Sequence, residues 1–401
     1  MKRPRVDVNL EELDQIIDRG MRTRLNESEG QKLKTALHAM AERLLWKRST
    51  EKTSAVVDQP AAVPVEERNT GEPAPAGHGR HGAAAFTGAT TQWELMEAAA
   101  KLIRPVLEEL IRQAAQGSVM HNDDTGMRIL RLAREPDDQR TGTFTSGVVS
   151  IVGAWRIALF FTGWKHAGEN IADVLNRRAR ELPAPIQMCD ALSRNTPKLE
   201  GVEILVANCL AHGRRQFVEV VENFPEQCRY VLETLRGVYH NDALAREQGL
   251  SPQDRLRFHR EHSGPLMKDL RVWMEAQLAE RKTEPNSGLG QAISYVSNHW
   301  LKLTLFLQQP GAPLDNNIVE RALKKAILNR KNALFYKTLN GAGVGDLFMR
   351  LIYTCELNGA NPFDYLTELQ RHAGELPRHP SEWMPWNYRE TLARLATPAA
   401  A

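Results

Sequence analysis

One acidic side chain, Glu320, stands ahead of a run of basic side chains in PLDNNIVERALKKAILNRKN, residues 313–332. Just before it, Asp315, Asn316 and Asn317 are of types that favour the start of a helix, because their side-chain oxygens accept from N–H groups that the first turn leaves free. In such a helix Asn316 and Asn317 share a face with Glu320. The basic residues are Arg321, Lys324, Lys325, Arg330 and Lys331. The stretch predicts a carboxylate able to bind a metal ion beside groups able to bind phosphate; the alternative is a capped helix with a solvated basic face.

The overall composition is that of a globular protein without a global preference for nucleic acid. The chain has 401 residues, enough for two or more domains, and 42% of them are hydrophobic and 25% charged. The formal net charge is only +3, so a contact with nucleic acid must come from a local cluster of cations. No apolar run reaches the roughly 18 residues of a membrane-spanning helix, and the N-terminus MKRPRVDVNLEEL lacks the apolar segment of a signal peptide. We therefore expect a soluble, cytoplasmic protein with no membrane partner.

The cysteines are dispersed along the chain. They are Cys189, Cys209, Cys228 and Cys355, and no two of them form a CxxC pair. Such thiols are typical of a reducing cytoplasm and argue against a zinc ribbon, so no zinc is expected.

A helical region and a linker are predicted before the main body of the chain. Residues 1–48 are expected to be helical, with a short coiled-coil-like stripe that suits self-association or packing on another part of the protein. The stripe consists of Leu33, Leu37, Met40 and Leu44. Residues 49–90 are rich in proline, glycine and alanine and predict a disordered linker. Residues 91–117 follow as one long amphipathic helix that leads into the core.

Residues 118–215 alternate between apolar or β-branched runs and turn-prone segments, which predicts the order βββαβαβ followed by α. The predicted strands cover residues 118–133, 143–155, 156–163, 185–191 and 202–212, with a helix over 168–182. Three antiparallel strands followed by βα alternation are the connectivity of the ribonuclease-H-like fold. We therefore expect an α/β protein with a ribonuclease-H-like mixed sheet, whose first part is residues 118–215.

The rest of the chain is predicted to be helical. Residues 216–309 form an all-helical insertion, residues 310–340 carry the Glu320 helix, and residues 341–401 form a helical C-terminal region. The sheet is thus expected to have helical additions at both its N-terminal and C-terminal sides.

Acidic residues occupy the three places where the ribonuclease-H-like architecture carries them. These places are the first strand, the end of the fourth strand and a helix after the fifth strand, and here they hold Asp123, Asp190 and Glu320. Such carboxylates suit a pair of divalent cations, which can stabilise the attacking and leaving oxygens of a phosphoryl displacement. Mg²⁺, or Mn²⁺ in its place, prefers oxygen ligands of this kind.

The first of these positions requires a choice between neighbours. Asp123 and Asp124 are adjacent on a strand, so their side chains point to opposite faces and only one can join the cluster. We assign Asp123, because His121 and Asp123 alternate with the apolar Met120 and Asn122 is acceptable as an outward-facing residue. The pattern alone does not decide the matter, and Asp124 is retained as a supporting residue.

Three more polar residues are expected close to the acidic cluster. His212, Arg214 and Arg215 directly follow the predicted fifth strand, on the side of a sheet where ligands usually bind. The arginine fork matches phosphate oxygens. With the cations of residues 313–332 these arginines are the predicted DNA-binding residues, and His212, Asp315, Asn316 and Asn317 are predicted to support the cluster. The alternative is an ordinary helix start with solvated arginines.

Five ordered segments carry a family resemblance. They are HNDDTGMRIL, PIQMCDALSRN, NCLAHGRRQF, PLDNNIVERALKKAI and LIYTCELNGANPFDYLTEL. Together they resemble the successive motifs of the insertion-sequence-66 family of bacterial DDE transposases, over about residues 91–371. The resemblance implies that Asp123, Asp190 and Glu320 are the catalytic and metal-binding triad of an enzyme that cleaves DNA strands and transfers them. It also implies that the partners are double-stranded DNA, as element ends and target, a second copy of the chain and accessory proteins of the same element.

The resemblance has one departure. Members that resemble this chain carry a cysteine-rich zinc-ribbon segment and further helices between a GHGR-type linker and a TQWEL-type helix, whereas here residues 86–89 run almost straight into residues 91–93. The catalytic core is expected to be complete, and recognition of element ends to be weakened. The competing interpretation is a non-catalytic DNA-binding or decoy derivative of a transposase with an internal deletion. A third, a ribonuclease-H-like junction nuclease, is disfavoured by the family motifs.

Overall fold

The computed structural model describes residues 89–132, 140, 142–199 and 201–396. The helical region predicted for residues 1–48 and nearly all of the linker predicted for residues 49–90 lie outside the described residues. Both therefore stay predictions.

A five-stranded mixed sheet forms the centre of the described chain. The strands are, in chain order, β1 (Val119–Gly126), β2 (Ile129–Arg131), β3 (Phe144–Val152), β4 (Trp155–Gly163), β5 (Ile186–Cys189), β6 (Leu205–Asn208) and β7 (Tyr336–Thr338). The sheet has the order β4-β3-β1-β5-β6. β3 is antiparallel to both β1 and β4, while β5 is parallel to both β1 and β6. β2 and β7 form a separate parallel pair. The order places β1 in the middle of the sheet.

Helices surround this sheet. They are α1 (Ala89–Ala114), α2 (Ala167–Leu175), α3 (Leu210–Val220), α4 (Pro225–Glu247), α5 (Pro252–His262), α6 (Gly264–Ala279), α7 (Gly288–Asn298), α8 (Trp300–Leu303), α9 (Asn317–Ala333), α10 (Leu339–Leu357), α11 (Pro362–Arg371) and α12 (Tyr388–Ala396). Short 3-10 turns cover Ser193–Asn195, Leu305–Leu307 and Pro380–Trp383. None of the helices in the described residues combines the length and the apolarity needed to cross a bilayer.

Alternate residues of the central strands pack into different cores, because successive side chains in a strand point to opposite faces. Met120 belongs to a core that β3 and β4 share with α1, α2, α10 and α11. Its neighbour Val119 belongs to a core formed by β5, β6 and helices α3, α4, α6 and α7. A third, smaller cluster joins Val149 and Phe160 of the sheet to Val319 of α9. The alternation thus gives β1 one face toward α1 and α2 and another toward α9 and the helices of residues 210–309.

Gly147 of β3 allows α9 to lie close to the sheet. A Cβ atom at this position would lie 2.9 Å from Leu323 Cδ2 and 3.1 Å from Val319 Cγ2, both on α9. In the β1–β3 register Gly147 is directly opposite Asp123. The helix that carries Glu320 therefore approaches the sheet beside Asp123 because β3 has no side chain there.

Several element boundaries differ from those predicted. The strand expected over residues 118–133 is two strands, of which β2 pairs with β7 and leaves the main sheet. The helix expected over residues 168–182 ends at Leu175, and the strand expected over residues 202–212 is confined to Leu205–Asn208. α3 begins at Leu210, so His212 lies on a helix and not at a strand end. A short apolar run does not distinguish a strand from a buried helix start, which explains this error.

Candidate active site

Asp123 and Asp124 have separate surroundings, as the alternation of β1 requires. The Asp124 carboxylate accepts from Ser146 Oγ at 2.6 Å and lies 2.9 Å from His166 Nδ1. Its side chain is only 3% exposed, so these two partners replace the water that it loses. Asp123 instead accepts from the backbone N–H of Asp124 at 2.8 Å. The negative charges of Asp190 and Glu320 contribute to raising its pKa. Asp123 is therefore on the face of β1 opposite to Asp124, where the charges of Asp190 and Glu320 act on it.

Asn195 connects the first two predicted catalytic aspartates. Its Nδ2 donates to Asp190 Oδ1 at 2.6 Å and lies 3.4 Å from Asp123 Oδ1. Its backbone carbonyl accepts from Asn122 Nδ2 at 2.8 Å and from Gln187 Nε2 at 2.7 Å, which fixes the turn after β5 on the strands. Both aspartates thus share one amide donor.

Two of these residues escaped the sequence reasoning. Asn195 was not selected, although an Asn in the turn just after Asp190 is a type that forms local side-chain hydrogen bonds. Asn122 was expected to be acceptable as an outward residue. It is fully buried. The burial is tolerated because its amide oxygen accepts from Gln187 Nε2 at 2.8 Å and its Nδ2 donates to the Asn195 carbonyl.

Asn316 fastens the start of α9 to β1. Its Oδ1 lies 3.1 Å from His121 Nδ1, and its Nδ2 donates to the Asn122 carbonyl at 3.0 Å. Its backbone N–H points to Cys209 Sγ at 3.3 Å. Burial lowers the pKa of His121 to about 4, so the ring is neutral and its Nδ1 donates to the Asn316 oxygen. Glu320 lies one turn further along the helix that this contact positions.

This contact corrects the predicted capping role of Asn316. Asn316 is the residue before the first helical position, but its side chain makes no hydrogen bond to the helix N–H groups. Asp315 takes that part, since its Oδ1 accepts from the Asn317 N–H at 3.1 Å. The side chain of Asn316 is fully buried against β1, where it is bonded to His121 and to the Asn122 carbonyl and not to the N–H groups of the helix.

The electrostatics of Asp123 indicate a concentration of negative charge. Burial, and then the charges of Asp190, Asp124 and Glu320, raise the pKa of Asp123 to about 7, although the Asp124 N–H acts in the opposite direction. A divalent cation beside these carboxylates would favour the ionised form. The donors are carboxylate oxygens, which are the ligands that Mg²⁺ and Mn²⁺ prefer. Asp123, Asp190 and Glu320 therefore fit such an ion chemically.

Glu320 also lies in a compact group of possible metal ligands with Cys209 and His212, at the start of α3. Ligand atoms of Cys209, His212 and Glu320 all lie within 4.8 Å of one another; among the described residues, Asp123, Asp190 and Glu320 are not in such a group. Burial raises the pKa of Cys209 to about 11, so it is a neutral thiol and a poor ligand for Mg²⁺. His212 Nδ1 is buried without a hydrogen-bond partner in the described part of the chain. His212 is thus next to Glu320, where it can orient that carboxylate.

The predicted DNA-binding cations fall into two groups. Arg214, Arg215, Arg321, Lys324 and Lys331 are exposed. The other two have partners within the chain. Lys325 pairs with Glu356 at 2.8 Å and lies 5.5 Å from the centre of the Tyr353 ring. Arg330 donates to the Gly126 carbonyl at the end of β1 and so helps to fix α9 on the sheet. Proximity to other elements gives these two cations structural roles that their spacing alone does not reveal.

The described chain is thus a mixed α/β protein in which Glu320 lies on a helix rich in basic residues. The chain belongs to the IS66 family of transposases: the family model described as "Transposase IS66 family" matches residues 80–343. This match confirms the resemblance that the five sequence motifs indicate.

Two curated relatives from Sinorhizobium fredii (strain NBRC 101917 / NGR234) are similar to part of the chain. "Uncharacterized protein y4jD" is 32% identical over 205 residues, which cover 49% of this chain and 39% of the relative. "Uncharacterized protein y4hP" is 29% identical over 213 residues, which cover 50% of this chain and 38% of the relative. The chain therefore aligns with well under half the length of these relatives.

Proposed function

We propose that this chain is the catalytic part of a DNA transposase that cleaves a DNA strand and transfers it to target DNA. The residues proposed to carry the reaction are Asp123, Asp190 and Glu320. The observation that supports this best is the shared amide of Asn195, which holds Asp190 and reaches Asp123 beside the helix of Glu320. These three residues come from β1, the turn after β5, and α9.

We further propose that the sheet has the ribonuclease-H-like topology. Support comes from the strand order β4-β3-β1-β5-β6, in which the first three strands of the sheet are antiparallel and the next two are added parallel to β1. In this topology the acidic residues lie on the central strand, at the end of a strand beside it and on a helix that follows the last strand of the sheet. The helices of residues 216–309 enter between β6 and α9, so the Glu320 helix returns to the sheet after a long excursion.

The proposed chemistry consists of two displacements at phosphorus. In the first, a water oxygen attacks a phosphodiester and loses a proton to solvent, the P–O3′ bond breaks, and the leaving O3′ takes up a proton to become a 3′-hydroxyl while the phosphate stays on the other fragment. In the second, that hydroxyl oxygen attacks a target phosphodiester and loses its proton to solvent, and the target O3′ leaves and takes up a proton from solvent. Bound Mg²⁺ or Mn²⁺ would supply charge neutralisation at the attacking and leaving oxygens.

The chain's own residues have three tasks in this proposal. Asp123, Asp190 and Glu320 would hold the cation. Asn195 orients the two aspartates, while Asn316 fixes the start of the helix that bears Glu320. The exposed cations of α3 and α9 would contact phosphates on either side of the reacting one, since Arg and Lys bind phosphate oxygens irrespective of base sequence. We extend the proposal to duplex DNA, as element ends and target, and to self-association and accessory proteins of the element.

The decisive experiment measures strand transfer from precut duplexes that carry the terminal sequences of the element encoding this chain. Precut ends remove the need for specific cleavage. With Mg²⁺ we expect product from the natural chain and a loss on the order of a hundredfold or more in Glu320→Gln, because the change removes a charge that a metal site uses for several kcal/mol of stabilisation. Glu356→Gln is the matched control, since Glu356 is a carboxylate paired with Lys325 on the surface.

Two outcomes contradict the proposal. Equal activity of Glu320→Gln and Glu356→Gln would remove Glu320 from the reaction. Binding of duplex DNA without any metal-dependent product from the natural chain would favour the non-catalytic derivative instead.

A further inference from the structure

A second basic site lies between helices α3 and α4, next to the start of α9. A cavity of about 690 Å³ is lined there by residues that include Arg214, Arg229, Arg236, Tyr239 and Asn317. Arg229 and Arg236 are two helical turns apart on α4, so they project from the same side of that helix. Asn317 is the first residue of α9, three residues before Glu320. The cavity thus adjoins the element that carries the proposed catalytic glutamate.

The arginines of this cavity differ from others in the same group of helices. Within the described residues, Arg214, Arg229 and Arg236 have no ion pair with a carboxylate, and all three are exposed. Arg255, by contrast, pairs with Asp242 at 2.5 Å, and Arg271 pairs with Glu275 at 2.9 Å. Three cations face a cavity with one lining carboxylate, Glu233, so the cavity has an excess of positive charge.

Tyr239 lines the cavity but does not offer its hydroxyl to a ligand. The hydroxyl oxygen is buried and has no hydrogen-bond partner in the described part of the chain. Burial, and then the nearby Asp315 carboxylate, raise the pKa of Tyr239. The exposed arginines are therefore the groups of this cavity that are open to an anion.

We propose that this cavity binds a phosphate of the DNA strand on which the Glu320 site acts. The arginine fork pairs with two phosphate oxygens at once, and three such forks suit a phosphodiester. The helix of Glu320 rises only about 1.5 Å per residue, so a phosphate beside Asn317 lies a few ångströms along α9 from the glutamate. The site would therefore set the register of the strand at the reacting phosphate. This inference rests on the proposed function, because it requires DNA as the ligand.

The test compares two double variants of the full chain, each losing two positive charges. Arg229→Ala/Arg236→Ala removes the cavity arginines of α4, while Lys268→Ala/Arg271→Ala removes two exposed cations of α6 that do not line the cavity. Duplex binding is followed by fluorescence anisotropy over a range of salt concentrations, in EDTA and in the Glu320→Gln background. We expect the cavity variant to bind about tenfold more weakly, with a salt slope smaller by roughly one to two, since each phosphate contact contributes about 0.9. The α6 variant should keep the slope and bind within about twofold of the parent.

Further outcomes separate the possible ligands and the two proposals. Inorganic phosphate, the probe for a free anion, should compete with duplex only at far higher concentration; competition at equal concentration would overturn the assignment to DNA. Equal weakening by both double variants, or by neither, would also overturn it. All of these measurements omit metal, so a chain that binds DNA through the cavity but yields no strand-transfer product would contradict only the proposed function.

Discussion

Two asparagines at helix starts show how identical residue types acquire different tasks. Asn361 precedes α11, and its Oδ1 accepts from the N–H groups of Phe363 and Asp364 at 2.9 and 3.4 Å. Asn316 precedes α9, but its amide binds His121 and the Asn122 carbonyl on β1 instead. Asn361 is exposed and Asn316 is fully buried. The first asparagine starts a helix, and the second attaches one to the sheet.

A substitution to aspartate should distinguish these tasks. Asp caps a helix about as well as Asn, so Asn361→Asp should change the free energy of unfolding by less than about 0.5 kcal/mol. Asn316→Asp loses the donor to the Asn122 carbonyl and buries a charge, and we expect a cost of about 2 kcal/mol or more. Chemical denaturation monitored by circular dichroism measures both. Small and equal effects would mean that Asn316 is an ordinary cap.

At the scale of elements, the position of α9 over the sheet depends on Gly147. The register of β1 and β3 sets this glycine opposite Asp123, and α9 fills the space that a side chain would take. Val319 and Leu323, which contact this point, flank Glu320 on the helix. The distance between the carboxylates of Asp123 and Glu320 therefore depends on how closely α9 packs on β3.

Gly147→Ala should move α9 outward and lower both stability and metal-dependent strand transfer. The added Cβ would meet Leu323 Cδ2 at 2.9 Å, and such overpacking costs about 1–3 kcal/mol. Gly163→Ala on β4 is the control, because its nearest contact, Leu339 Cδ1, is at an ordinary 3.8 Å. Unfolding and strand-transfer rates measure the two effects.

A second change tests whether packing is the cause. Leu323→Ala makes room for the new methyl group, so the double variant Gly147→Ala/Leu323→Ala should be less impaired than the two single effects added together. Strict additivity would show that Gly147 acts through something other than its contact with α9.

At the scale of the whole molecule, the net charge is only +3, so the positive charge near the candidate active site is local. α9 carries five basic residues and one carboxylate, and the exposed Arg214 and Arg215 lie on α3. Contacts of this kind act on phosphates and depend on salt, whereas base sequence is recognised through groove edges or DNA shape. Under the proposed function, these cations would hold DNA near the carboxylates without selecting its sequence.

The full chain should therefore bind element-end duplexes and random duplexes of equal length with affinities within about threefold at moderate salt, because phosphate contacts carry no sequence information. Competition binding with both duplexes in one titration measures the ratio directly. A clear preference for element ends would contradict the prediction and would assign sequence recognition to residues 1–88 or to the helices of residues 216–309.

The sequence by itself determined the family and the main elements. Five motifs were enough for the family. Alternation along β1 predicts that Asp123 and Asp124 lie on opposite faces, since a strand's period of two is a local property, but it does not say which of them joins the cluster. The central strands and the Glu320 helix were also predictable, because β-branched runs and Asp-Asn-Asn before a helical pattern are local features. The bounds of β6 and the helical position of His212 were not, because an apolar run suits a strand and a helix start equally.

Only the tertiary structure decided which distant residues support the candidate site. Asn195 reaches Asp123 across 72 residues, and Asn316 reaches His121 across 195. The pairing of Lys325 with Glu356 and of Arg330 with the end of β1 likewise depends on how α9 lies on its neighbours. Sequence spacing predicts which side chains share a face of one element, but it does not predict which residues of another element they contact. Those partners are set by packing, which here depends on the absence of a side chain at Gly147 as much as on any residue that performs chemistry.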